Sequence, residues 1–126
     1  MLLHEDLPHS VPTRAWLRWK ENYFWVFMDP ERDICCLAHC TAEPTYDRAF
    51  ASFIILHQGK MLVNAKEVPM PSPFEHQKEL KYGGLTIRFL QPQAKFQVTF
   101  EDDNVAATLD FERRMHLFDF QACADV

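Results

Sequence analysis

The chain has little glycine: three among 126 residues, Gly59, Gly83 and Gly84. That scarcity removes two kinds of site. A phosphate-cradling loop needs glycines clustered so that backbone N–H groups can approach the anion. A nucleophile elbow needs a Gly-x-Ser-x-Gly pattern, which none of Ser10, Ser52 and Ser72 has. Long apolar runs are missing too. No stretch approaches the roughly 20 consecutive apolar residues that span a bilayer, so no membrane span is expected. Charge interrupts the N-terminus at once, in Met1-Leu2-Leu3-His4-Glu5-Asp6. It therefore lacks the basic and then apolar regions of a signal peptide, and a soluble, cytoplasmic protein is the expectation. A basic surplus is also lacking, since the formal net charge is −5. Arg14, Arg18, Lys20, Arg113 and Arg114 are scattered and form no stripe. Nucleic-acid binding needs a basic face to neutralise phosphates, so no nucleic-acid partner is expected.

What the chain does have is aromatic and β-forming. Phe occurs 11 times and 48% of the residues are hydrophobic. That suffices for one core, and a second would not fit this length. Residues 1–18 read as an extended arm, with Pro8 and Pro12 blocking helix, and residues 19–126 as a single β domain. Strands are expected at Asn22–Met28, Ile34–Thr41, Arg48–His57, Met61–Lys66, Leu85–Leu90, Ala94–Glu101 and Val105–Arg113, where β-branched and aromatic residues concentrate. Turns fall at Asp29-Pro30-Glu31-Arg32-Asp33, at Glu43-Pro44-Thr45-Tyr46-Asp47 and at Gln58-Gly59-Lys60. Val68-Pro69-Met70-Pro71-Ser72-Pro73 cannot lie inside a sheet and reads as a crossover. A short helical turn is expected around Glu75–Leu80. The fold class is thus all-β, an antiparallel barrel or strongly curled sheet of seven to eight strands.

Alternation differs between the two halves. Phe96, Val98 and Phe100 oppose Lys95, Gln97, Thr99 and Glu101, which gives one dry and one wet face. The early strands are apolar on both faces. Tyr23, Trp25 and Phe27 oppose Phe24, Val26 and Met28, and Phe50, Ile54 and Leu56 oppose Ala51, Phe53 and Ile55. One face can line the interior. The other needs a cover: the N-terminal arm with Trp16 and Trp19, a second subunit, or a second domain.

The segment Trp19-Lys20-Glu21-Asn22-Tyr23-Phe24-Trp25-Val26-Phe27-Met28-Asp29-Pro30-Glu31 resembles the opening of the tandem lipocalin-like (calycin) family related to carotenoid hydratases and natural-product cyclases. Leu85–Gln97 and the aromatic close His116-Leu117-Phe118-Asp119-Phe120 extend the resemblance over most of the chain. The family's strand after Asp-Pro-Glu carries glycines, where this chain has Ile34-Cys35-Cys36-Leu37-Ala38-His39-Cys40. The family's Arg-Asp-His-Ser-Trp-like motif, in a second lipocalin-like unit, has no counterpart here, so its chemistry is carried onto no residue. The resemblance implies a lipocalin-like barrel, partnered either by a missing second lipocalin-like unit or by its own copy as a homodimer.

Cys35, Cys36, His39 and Cys40 have the composition of a metal box, but not the geometry. On an extended strand Cys36 and Cys40 lie roughly 13 Å apart, and Cys35 and Cys36 point to opposite faces. Reduced, buried thiols are expected for Cys35, Cys36, Cys40 and Cys123, with no metal and no cofactor. Glu101-Asp102-Asp103-Asn104 lacks calcium-loop spacing and reads as a solvated hairpin turn.

The preferred function is binding of an apolar or amphipathic small molecule, lipid- or isoprenoid-like, in a β-barrel pocket. Tyr23, Trp25, Phe27, His39 and Phe53 are the ligand-binding candidates, the rings supplying contact area and His39 or the Tyr23 hydroxyl setting orientation. One alternative is a hydratase- or cyclase-type enzyme acting on a polyene, with His39, Asp29 or Glu31 as its acid. The other is a protein-interaction or dimerisation module that uses the exposed apolar sheet.

Overall fold

The computed structural model describes residues 20–71 and 79–115. Eight strands follow in order: β1 (Glu21–Asp29), β2 (Ile34–Glu43), β3 (Arg48–His57), β4 (Lys60–Val68), β5 (Glu79–Tyr82), β6 (Leu85–Gln91), β7 (Lys95–Glu101) and β8 (Ala106–Glu112). They form two four-stranded antiparallel meanders, β1-β2-β3-β4 and β5-β6-β7-β8.

The turns of the first sheet are written in its sequence. In Asp29-Pro30-Glu31-Arg32-Asp33 and again in Glu43-Pro44-Thr45-Tyr46-Asp47, proline opens a single 3-10 turn and the last Asp adopts the left-handed conformation. The φ angles of Asp33 and Asp47 are 50° and 48°. Asp is among the few residues that tolerate this region. Each returns its N–H to the proline carbonyl, at 3.3 and 3.2 Å. Gln58 and Gly59 both have positive φ, as a two-residue hairpin turn matched to strand twist requires.

A closed barrel, one of the two forms the sequence allowed, is not built. Strand pairing ends at β4 and begins anew at β5, and no ladder joins the two sheets among the described residues. Pro69 and Pro71, which have no N–H to donate, stand directly after β4 and stop it from continuing into the next hairpin. The helical turn expected around Glu75–Leu80 is also corrected where it can be seen: Glu79–Tyr82 is strand. Leu80 and Tyr82 alternate with Glu79 and Lys81, and Gly83-Gly84 folds them back onto β6. The arm at residues 1–18, the aromatic close from His116 and Cys123 lie outside the described residues.

One hydrophobic cluster draws on both sheets, which face each other across it. From the first sheet come small side chains: Cys36, Ala38, Cys40 and Ala42 of β2, and Ala49 and Ala51 of β3. From the second come larger ones, Leu80, Tyr82, Leu85, Ile87, Phe89, Val98 and Phe100. Phe53 and Val68 are the larger buried side chains of the first sheet, and Phe53, 1% exposed, stacks on Phe100 with ring centroids 4.6 Å apart. Small residues opposite large ones let two sheets approach to the usual spacing of about 10 Å with little void.

One loop fastens the sheets to each other at one end, and a close backbone contact tightens the second sheet beside it. The Asp102 carboxylate accepts backbone N–H bonds from Asn104 and Val105, each at 2.8 Å, and its other oxygen accepts from Asn64 of β4 at 3.0 Å. The expected solvated turn is thus also a link between sheets. Those donors, the backbone pair first, lower the Asp102 pKa. At the β5–β6 turn, a Cβ on Gly84 would collide with the Glu101 carbonyl oxygen of β7. The backbones meet there because Glu101 donates its N–H to the Gly84 carbonyl at 3.1 Å.

Gly84→Ala is therefore expected to cost about 1–3 kcal/mol, the range for overpacking a close contact, as measured by urea unfolding. Asp102→Asn is expected to lower the melting temperature at neutral pH. A carboxyl whose folded pKa is depressed contributes stability above its unfolded pKa of about 3.9 and loses it as pH falls through the folded value. The melting-temperature gap between wild type and Asp102→Asn should therefore be constant at neutral pH and close in acid.

Candidate functional site

The pleat separates the expected ligand-binding set. Tyr23, Trp25, Phe27 and Phe53 point between the sheets, whereas His39 points away from them, on the opposite face of the first sheet. The inter-sheet rings pack on one another. Tyr23 and Trp25 stack at 5.8 Å, Tyr23 meets Phe89 edge-on at 6.2 Å, and Trp25 lies 6.3 Å from Phe96. Phe27 is half-buried against the same cluster. These four rings lie on the inter-sheet side and His39 on the other, so His39 cannot orient anything held among them.

His39 ends a short polar chain. Thr41 Oγ1 donates to Asn22 Oδ1 at 2.7 Å and lies 3.1 Å from His39 Nε2, which makes the ring N–H the donor to Thr41. Phe24 sits edge-on to the imidazole at 5.9 Å. The other candidate acids are occupied or remote. Asp29 caps the 3-10 turn and binds Arg32 at 2.5 Å, a bond that lowers its pKa, and Glu31 is exposed in the same turn.

The cysteines follow the strand geometry. Cys36 and Cys40 are buried between the sheets, where desolvation pushes both thiols up, and Cys35 lies on the outer face. Among the described residues no group of three or more His, Cys, Asp or Glu side chains could hold a metal ion.

The feature that stands out is the outer face of the first sheet. Cross-strand register sets its side chains in four rows. Val26, Leu37, Ile54 and Val63 make one, and Met28, Cys35, Leu56 and Met61 the next. Phe24, His39, Ser52 and Ala65 make a third, and Asn22, Thr41, Phe50 and Glu67 close the polar end. Phe24 is 58% exposed, Met28 66%, Met61 68% and Val63 51%. A depression of about 190 Å³ extends the apolar surface at the β1–β2 turn, between Met28, Cys35 and Leu56. Soluble proteins rarely leave so continuous an apolar surface bare unless something binds there.

The second sheet shows what an ordinary outer face looks like. Glu79, Arg88, Gln97 and Asp110 lie in cross-strand register and are joined side chain to side chain. Arg88 donates to Glu79 at 2.7 Å and to Gln97 at 3.2 Å, and Gln97 donates to Asp110 at 2.9 Å. Thr86, Thr99 and Thr108 fill the neighbouring row, along an open polar groove of about 670 Å³.

Sequence reading found the β1 and β3 parts of the apolar face but missed its β4 edge. Met61, Leu62 and Val63 in succession already meant apolar side chains on both faces of that strand.

Truncation separates the two faces. Phe53→Ala is expected to cost about 3–5 kcal/mol in urea unfolding, as a buried ring does. Phe24→Ala on the outer face, measured on the highly diluted chain, should stay within about 0.5 kcal/mol of wild type.

No curated protein sequence and no solved structure matches the chain. Among the described residues no helix is long and apolar enough to cross a membrane. Residues 3–124 match one family, described as a domain of unknown function (DUF7064), and since the match spans nearly the whole sequence, the chain belongs to that family.

Proposed function

We propose that the chain is a protein-interaction module, a two-sheet β domain that docks through the outer face of its first sheet onto an apolar surface of another polypeptide. The observation that carries this reading is the contrast between the two outer faces. Apart from Leu90 at the β6 bulge, the second sheet fills its outer rows with a charged and hydroxyl ladder, as a wet antiparallel face does. The first holds Phe24, Val26, Met28, Leu56, Met61 and Val63 in water at the same kind of position. Within one domain of ordinary charged fraction, that difference is a division of labour between faces.

A second reading keeps the lipocalin-like (calycin) relationship and a lipid- or isoprenoid-like ligand. It draws support from Tyr23, Trp25 and Phe27, which are half-buried along the β1 side of the sandwich near Phe96. A ligand there requires rings now packed together to part, which favours the docking reading. A hydratase or cyclase gains nothing from the arrangement, because His39, Asp29 and Glu31 converge on no common space and form no acid–base pair.

The dye 8-anilinonaphthalene-1-sulfonate, which fluoresces on bare apolar surface, tests the docking reading on a highly diluted chain. Emission should rise several-fold with wild type and fall to background with the double variant Val26→Lys, Val63→Lys, whose near-UV circular dichroism should be unchanged. Emission that survives the double substitution overturns the reading. Native mass spectrometry reads the ligand alternative: a bound apolar small molecule, lost in Trp25→Ala, would favour it.

A further inference from the structure

Resting on the docking reading, we infer that the partner of the apolar face is a second copy of this chain, packed face to face about a two-fold axis parallel to the strands. The extent of the surface is the first argument. Four strands about 4.8 Å apart, carrying four rows of side chains about 6.8 Å apart, make a face of roughly 20 by 25 Å. At their fractional exposures its large apolar side chains offer roughly 700–800 Å² of accessible surface, close to the ~800 Å² that each partner brings to a standard interface.

The face also complements itself, and about one axis only. A two-fold lying in the interface along the strands sets β1 of one copy over β4 of the other, and β2 over β3, with every row kept at its own level. Val26 then faces Val63 of the second copy, Leu37 faces Ile54, and Met28 faces Met61. In the next row the large Phe24 meets the small Ala65, and His39 meets the Ser52 hydroxyl. At the polar end Asn22 meets Glu67; its amide oxygen already accepts from Thr41, which leaves its N–H groups for the carboxylate. A two-fold across the strands fails, because it presses Asn22, Thr41 and Glu67 onto Met28, Cys35 and Met61 and leaves buried polar groups unpaired. The natural twist of two packed sheets, about 30°, keeps these pairings closest near the centre, at Leu37, Ile54, His39 and Ser52.

Edge-to-edge pairing, the other route by which β proteins associate, is discouraged at one edge of this sheet. The β4 edge carries Lys60, Lys66 and Glu67, charged side chains that oppose it.

Sedimentation velocity on the full chain tests this. Wild type should be a dimer at micromolar concentration. Val26→Lys and Val63→Glu should each weaken it by about tenfold or more, since each sets a charge against an apolar partner. An equimolar mixture of the two variants should recover the dimer, because the new charges oppose each other across the proposed axis. Thr99→Lys, on the outer face of the second sheet, should leave it intact. A dimer indifferent to both face substitutions, or a mixture that is not rescued, overturns the arrangement. If wild type is a monomer, hydroxyl-radical oxidation separates the two levels of the argument, with the 81% exposed Met115 as reference. Met28 and Met61 as reactive as Met115 would leave the docking reading standing and overturn the second copy as partner. Met28 and Met61 protected in a monomer would overturn both.

Discussion

A β-strand commits its side chains alternately to two faces, and a two-layer sandwich can bury only one face of each sheet. Everything distinctive about this molecule follows from that limit. The second sheet obeys it except at Leu90, beside the β6 bulge, with Leu80, Ile87, Val98 and Leu109 inward in one register row and Glu79, Arg88, Gln97 and Asp110 outward in the next. The first sheet carries apolar residues on both sides of the pleat, so the fold of the described residues leaves one of its faces bare. No rearrangement within the sheet relieves this. A one-residue slip in register exchanges the two faces and exposes Tyr23, Trp25 and Phe27 in place of Phe24, Val26 and Met28.

The inner faces explain why the interior is an unpromising place for a ligand. The buried Ala38, Cys40, Ala42, Ala49 and Ala51 of β2 and β3 share one cluster with the larger Tyr82, Leu85, Phe89 and Phe100 of the opposite sheet. Where β3 offers a large one, Phe53, the answer is a parallel ring stack with Phe100. This is the size matching of a packed core. A binding pocket of the lipocalin type keeps its wall residues apart, and these touch.

Much of this was legible in the sequence, and the illegible parts have physical causes. The all-antiparallel character, seven of the eight strands and the turns at Pro30, Pro44 and Gly59 could be read because proline and glycine act locally, through φ. Double-sided apolarity in β1 and β3 could be read because alternation is also local. Whether the sheet closes on itself could not, since closure depends on strand pairings far apart in sequence; the prolines after Val68 pointed to a break without saying that it divides two sheets. β5 was hidden by its brevity, since four residues bearing Glu79 and Lys81 fit a helical turn as well as a strand until Gly83 pairs them with β6. His39 was grouped with Tyr23, Trp25, Phe27 and Phe53 for its chemistry. The register sets it apart by a simple parity: Tyr23 pairs with Cys40 and Trp25 with Ala38, so the residue between those two must face the other way.

That same parity bears on how the chain tolerates change. Inner-face substitutions must satisfy two sheets at once, because Ala38 and Phe53 are neighbours in register and both pack against side chains of the other sheet. Outer-face substitutions on the first sheet meet no such demand within the domain, since a half-exposed valine there loses little by becoming threonine or lysine. A sequence under selection for folding alone would drift toward polar residues at those positions, as the second sheet's outer rows already stand. Apolar side chains on every strand of the first sheet, aligned row by row, are what the proposed docking would select for. A second sheet packed on that face would impose a constraint of that shape, broad, flat and uncharged except at one end.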